Sequence, residues 1–169
     1  MPPRIIACLL LAVALSFAGV AAAGAAPLRF PDSGAPAFVL DVPAGWTGSP
    51  DQAGNYAIVA DDHCCAVALS MVTDQALLDS DNEDVANKLF EAANVKPSQR
   101  SEGAIIGGVG GETFFSQNGD GTMNLNVTIL RIDPGHMAIV SAVIRADASE
   151  EIHAKAADLI SSITFANSE

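Results

Sequence analysis

From residue 38 onward the chain switches between two hydrophobic periods, and each switch marks an element. Phe38, Leu40 and Val42 alternate with Val39 and Asp41, the period-2 pattern of a strand. Pro43 and Gly45 end it, and Trp46 is expected to fold back over the edge of the core. Thr47–Asn55 reads as turns. "YAIVA", Tyr56–Ala60, predicts a second strand, Asp61–His63 a tight connection, and "CCAVALSMV", Cys64–Val72, a third strand.

The period then lengthens. Val85, Ala86, Leu89, Phe90 and Ala93 form a stripe at helical spacing, with Lys88 and Glu91 off it. Ser80 stands three residues before Glu83, the spacing of a capping box, and acids crowd the first turn, where the helix dipole favours them. Pro97 bars the helix from passing Val95 or Lys96, and Thr73–Ser80 is expected to add a short helical turn ahead of it.

Period 2 returns in Gly103–Gln117, read as two short strands around a glycine-rich turn. "NGDG", Asn118–Gly121, supplies the positive φ angles of a hairpin. In "MNLNVTILRI", Met123, Leu125, Val127 and Ile129 share one face and Asn124, Asn126 and Thr128 the other. "DPGH", Asp133–His136, predicts a turn. Met137–Arg145 is apolar on both faces, as a strand covered above and below must be. The last helix is predicted from Asp147, with Asp147 and Glu150 at capping-box spacing. Ala148, Ile152, Ala156, Leu159, Ile160 and Ile163 lie on one face, and Glu151 and Lys155 are spaced to pair. "ITF" carries the chain out through Phe165. The order of elements predicts an α+β fold, an antiparallel sheet of about six to seven strands packed against two main helices.

Two segments of different character precede this domain, which is read as residues 38–166. Residues 1–25 begin with one base, Arg4, continue in an apolar run, Ile5–Val20, and end in small residues offering A-x-A sites near Ala23. These are the parts of a secretory signal peptide. The apolar run is shorter than the roughly 20 residues of a membrane span and has no basic flank after it. The expectation is cleavage, a periplasmic or secreted product, and no stable membrane insertion afterwards. Residues 26–37, with three prolines, read as an extended leader.

Charge narrows the range of partners. The chain carries 8 Lys and Arg against 20 Asp and Glu, a net charge of −12, and loss of Arg4 takes it to −13. No cluster of bases occurs, so nucleic acid and anionic lipid surfaces are poor partners.

The box Pro43-Ala44-Gly45-Trp46 after the first strand, the mid-chain helix, the glycine-punctuated hairpins and the closing "LISSITF" together resemble the PsbP-like (Mog/PsbP) fold. The resemblance implies an antiparallel sheet packed between helices over most of residues 38–165. That family includes extrinsic photosystem subunits, a nuclear GTPase-binding protein and small bacterial envelope proteins, and the export signal matches the last group best. It implies no site residue, because no functional motif is shared.

"DDHCC", Asp61–Cys65, concentrates the candidate chemistry. Four readings stand. A strand beginning at Cys64 would send one thiol into the core and the other to the surface. A disulfide between Cys64 and Cys65 would be strained, since neighbouring Cα atoms are closer than a disulfide prefers. His63 with Cys64 and Cys65 would suit zinc or copper, but adjacent cysteines rarely both reach one ion and no CxxC or HxxxH spacing completes the set. An exposed thiol would link two chains. No nucleophile, base and orienting group assemble elsewhere: "GGVGG" lacks the P-loop Lys-Ser/Thr, and no serine sits in a G-x-S-x-G elbow. The leading expectation is an exported, non-enzymatic envelope protein that binds a partner protein or small ligand. The alternative is a metal-handling or thiol-redox protein using His63, Cys64 and Cys65.

Overall fold

In the computed structural model, which describes residues 27–34, 36–51 and 54–166, the run apolar on both faces is the strand around which the rest is arranged. The signal-peptide reading of residues 1–25 lies outside the described residues. In chain order the elements are β1 (Leu28–Phe30), β2 (Ala37–Leu40), β3 (Trp46–Pro50), β4 (Tyr56–Ala60), β5 (Cys65–Val72), α1 (Gln75–Leu78), α2 (Asn82–Ala92), β6 (Arg100–Ile106), β7 (Val109–Gln117), β8 (Met123–Asp133), β9 (His136–Arg145), α3 (Glu150–Ser162) and β10 (Thr164–Ala166). Seven strands form an antiparallel sheet in the order β3-β4-β5-β9-β8-β7-β6, and β1-β2-β10 form a small second sheet. Strand β9 occupies the centre, and Met137 to Ala142 are all buried.

Its two faces feed two cores. Ala138, Val140, Ala142 and Ile144 pack with Val67 and Leu69 of β5, with Ala156, Leu159 and Ile163 at α3, and with Phe38 and Leu40 of β2. Met137 and Ile139 pack on the other side with Leu125, Val127 and Ile129 of β8 and with Val85, Ala86, Leu89 and Phe90 of α2. Burying each of the larger of these side chains contributes about 1.5–3 kcal/mol, which is what holds two short helices on the sheet. The α+β class and the apolar stripes of both helices agree with the periodicity. So does the β6–β7 hairpin, whose two-residue turn has φ +58° at Gly107 and +79° at Gly108, the conformation a tight hairpin needs. No helix among the described residues is long and apolar enough to cross a membrane.

Four local expectations are corrected. The leader is not merely extended, because Leu28–Phe30 pairs with Phe38–Leu40 and the Phe30 ring lies 5.3 Å from that of Tyr56. Three residues are too few for a period to register, and only the partner strand makes them a strand. Trp46–Pro50, read as turn, is an edge strand on β4; its terminal proline is compatible with an edge, where one row of donors has no partner to lose.

The capping boxes are displaced. The Ser80 hydroxyl donates to the Ala76 carbonyl at 2.7 Å, so α2 starts from Asp81 with no side-chain cap. Helix α3 is capped by Ser149, which accepts from the Ile152 N–H, because Asp147 is held by the Arg145 guanidinium at 2.6 and 2.9 Å. Finally, α2 stops before Pro97 acts. Asn94 takes φ +56°, its N–H donates to the Glu91 carbonyl and the Val95 N–H to that of Phe90. This is a Schellman closure, with Val95 packed in the same core as Phe90.

Candidate functional site

The "DDHCC" stretch is the β4–β5 turn. The His63 N–H donates to the Ala60 carbonyl at 2.8 Å, and His63 has φ +57°, a left-handed conformation that non-glycine residues seldom take but His, Asn and Asp take most readily. Its imidazole is exposed. The Cys64 N–H donates to Asp62 Oδ1 at 3.1 Å, and the Cys64 carbonyl accepts from the Arg145 N–H at 2.9 Å, which stitches the turn to the end of β9.

Both thiols are free and both are buried. Cys64 is 8% and Cys65 2% exposed, and they belong to the same core. The expectation that one would face solvent is therefore corrected. Alternation applies within a ladder, and the ladder begins at Cys65, paired with Ile144; Cys64 still belongs to the turn, which curls it inward.

Burial pushes the Cys64 thiol up, and its hydrogen bond to Asp62 and the charge of that carboxylate add to the effect. Burial pushes Cys65 up to about 12, with Cys64 and Asp62 contributing. The hydrogen bonds from Cys64 hold Asp62 below the usual carboxylate value. Both sulfurs are protonated at neutral pH, and burial works against the thiolate that a nucleophile uses. Among the described residues no group of three or more His, Cys, Asp and Glu side chains could hold a metal ion. The other histidines are elsewhere: His136 Nδ1 is 2.9 Å from both carboxylate oxygens of Asp133 at the β8–β9 turn, and His153 lies exposed on α3.

Beside this turn lies a feature that periodicity did not reveal. On the α2 side of the sheet a groove of about 570 Å³ is floored by Ala57, Val59, Ala66, Ala68, Ser141 and Val143. The floor consists of two rows across the strands, Ala57-Ala68-Ser141 and Val59-Ala66-Val143. Helix α2, about 16 Å long at 1.5 Å per residue, packs on β7 and β8 and leaves this part of β4 and β5 open. Its end, Ala93–Val95, forms one wall; the Asn118–Asp120 turn and Met123 form the other.

That second wall is firmly built. Asp120 accepts from the Thr122 N–H and hydroxyl at 3.0 and 2.7 Å, and Asn118 donates to Thr122 Oγ1 at 3.0 Å and accepts from the Met123 N–H. Those bonds hold Asp120 below the usual carboxylate value. No Lys or Arg lines the groove. The Ser141 hydroxyl on its floor makes no hydrogen bond to a described residue. A signal for the groove does exist in the sequence. From Cys65 to Ser70 of β5 one parity carries Cys65, Val67 and Leu69 and the other Ala66, Ala68 and Ser70, so over that stretch one face is bulky and the opposite face has only small side chains.

No family model and no curated protein matches the sequence. Among solved structures the chain is similar to LpqN, involved in cell envelope biogenesis of Mycobacterium tuberculosis, with TM-score 0.44 and 15% identity over 82% of this chain and 88% of that one. It is similar to the Ran-binding protein Mog1p of Saccharomyces cerevisiae, with TM-score 0.43 and 12% identity over 72% and 77%. A protein from Bacteroides thetaiotaomicron VPI-5482 gives TM-score 0.47 and 15% identity over 77% of this chain, which spans only 45% of that longer protein. These are likenesses of fold alone.

Proposed function

We propose that this chain is an exported, non-enzymatic binding domain that holds a small, predominantly apolar ligand in the groove over β4 and β5. The observation that carries the reading is the pair of cross-strand rows of small side chains, left uncovered by α2 and walled on two sides. A concave, mostly apolar hollow with a few polar groups at its margin is the usual form of a small-molecule site, and its volume is within the usual range. Covering on the order of 350 Å² of apolar surface, ligand and groove together, favours binding by about 9 kcal/mol. Loss of ligand freedom offsets several kcal/mol of this, so the affinity expected is modest.

The chemistry of the margin restricts the ligand. Asp120 is the carboxylate there and no Lys or Arg answers it, so a neutral or cationic molecule fits better than an anion. Binding is favoured over catalysis because the two thiols belong to the core on the other side of the sheet and are held protonated, so they offer the groove no nucleophile.

The test uses a neutral fluorescent apolar probe, N-phenyl-1-naphthylamine, with amide chemical shifts as a second readout. Wild type should enhance the probe's emission, with shifts concentrated at residues 57, 66, 68, 141 and 143. Ala68→Phe should fill the hollow and remove the enhancement with an unchanged far-UV spectrum; Ala66→Leu is a milder version should Phe disturb the sheet. A probe that perturbs amides elsewhere, or an enhancement that survives both folded variants, would sink the reading.

A further inference from the structure

The opposite face of the sheet has a second, chemically different concavity. Where α3 leaves β6, β7 and the start of β8 uncovered, a cleft of about 490 Å³ opens, lined by Arg100, Phe115, Gln117, Asn124, Asn126 and His153 among others. The register places these side chains in two rows. Arg100 pairs with Phe115 and Phe115 with Asn126; Gln117 pairs with Asn124. Because side chains alternate across a strand, all five point to one face, and His153 approaches from α3.

The hydrogen-bond inventory of this cleft is mostly unspent. Gln117 Nε2 donates to Asn124 Oδ1 at 2.8 Å, which leaves the Gln117 carbonyl and the Asn124 amino group free to act. Among the described residues the Asn126 amide and the His153 ring make no hydrogen bond. The Arg100 guanidinium lies over the Phe115 ring, 4.2 Å from its centroid, and 3.6 Å from Glu102. Its charge is thus partly answered already, while its N–H edge remains open.

We infer that this cleft binds a neutral oligosaccharide. Planar amides and a guanidinium offer paired donors and acceptors, which match the paired hydroxyls of a pyranose, each both donor and acceptor. The Phe115 ring and the planar guanidinium of Arg100 stacked on it together supply a flat surface for the C–H face of a sugar ring. An anionic ligand is disfavoured, because the charge of Arg100 is already partly answered by Glu102 and the chain as a whole carries −12. The apolar groove is on the other face of the same sheet, so the two sites share no lining residue.

The experiment is a titration of the intact domain with cellohexaose, maltohexaose and triacetylchitotriose, followed by the side-chain NH₂ resonances of Gln117, Asn124 and Asn126. At least one should shift all three with millimolar affinity or better. Asn126→Asp, which exchanges a donor for a charge at constant shape, should weaken that binding at least about tenfold, the loss of roughly one hydrogen bond. Phe115→Leu should weaken it by a similar factor, and binding of the naphthylamine probe should be unaffected in both. No shift from any of the three sugars, a sulfated oligosaccharide binding more tightly than the neutral ones, or an extended peptide shifting the same amides where sugars do not would each overturn the inference.

Discussion

The guanidinium of Arg131, on β8, donates to the backbone carbonyl of Leu78 at the end of α1, 53 residues earlier in the chain. It donates as well to the Ser80 carbonyl and to Asn82 Oδ1 at 3.0 Å. A helix end leaves carbonyls without intrahelical partners, and one planar fork here answers two carbonyls together with a side-chain amide. Arg131→Lys keeps the charge but cannot reproduce the fork. The variant should lose about 1–3 kcal/mol in urea unfolding, with faster amide exchange confined to residues 79–82. An unchanged urea midpoint would mean that solvent serves those acceptors equally well.

Glycine at 111 is required by distance. A Cβ there would lie 2.2 Å from the Ile129 carbonyl oxygen on the paired strand, and that backbone cannot move without breaking the ladder. At Gly110, one residue away, a Cβ would meet nothing within 4 Å. Gly111→Ala should therefore destabilise by about 3 kcal/mol, and Gly110→Ala should stay within about 0.5 kcal/mol of wild type. Paired thermal melts of the two variants distinguish a specific collision from a general need for flexibility in β7.

The buried thiols predict an alkaline limit. The folded-state value of Cys65 is raised from 9.0 to about 12, so its burial stabilises the fold fully below pH 9. That contribution is lost as pH rises from about 9 toward 12, and it amounts to up to about 4 kcal/mol across the window. Cys64, shifted in the same direction, adds to the trend. Urea midpoints should fall for wild type above pH 9 and fall less for Cys65→Ala. Iodoacetamide should label neither thiol in native protein at neutral pH and both once unfolded. Rapid native labelling would contradict the burial.

His63 answers to its turn. Because φ is +57°, replacement by glycine removes a left-handed strain of about 1–2 kcal/mol, less what glycine loses in the unfolded chain. His63→Gly should raise the melting temperature or leave it unchanged, and should not alter the naphthylamine affinity by more than about twofold. A large loss of binding would show that the imidazole, which borders the groove, contacts the probe directly.

Much of this architecture was legible before any coordinates. The stripe Val85–Ala93 and that of Ala148–Ile163 became α2 and α3, and the two-faced run at Met137–Arg145 became the central strand. The candidate site was legible only as chemistry. Asp61–Cys65 was visible as an unusual run, yet whether its thiols faced inward depended on a turn that curls Cys64 under β9. The groove and the cleft were not visible as sites, since each is a hollow between elements distant in the chain.

Side-chain period is a property of consecutive residues, so the sequence by itself determined which faces are greasy, where turns interrupt them, and that a sheet with helices must result. Coverage is a property of neighbours in space. That Cys65–Val72 lies against Met137–Ile144, that α2 packs on β7 and β8, and that Leu28–Phe30 finds a partner at all, were decided only when strand order set which surfaces meet. Local sterics and solvation fix the first set residue by residue, whereas the second follows from burying several such faces at once, with helices too short to cover all of them.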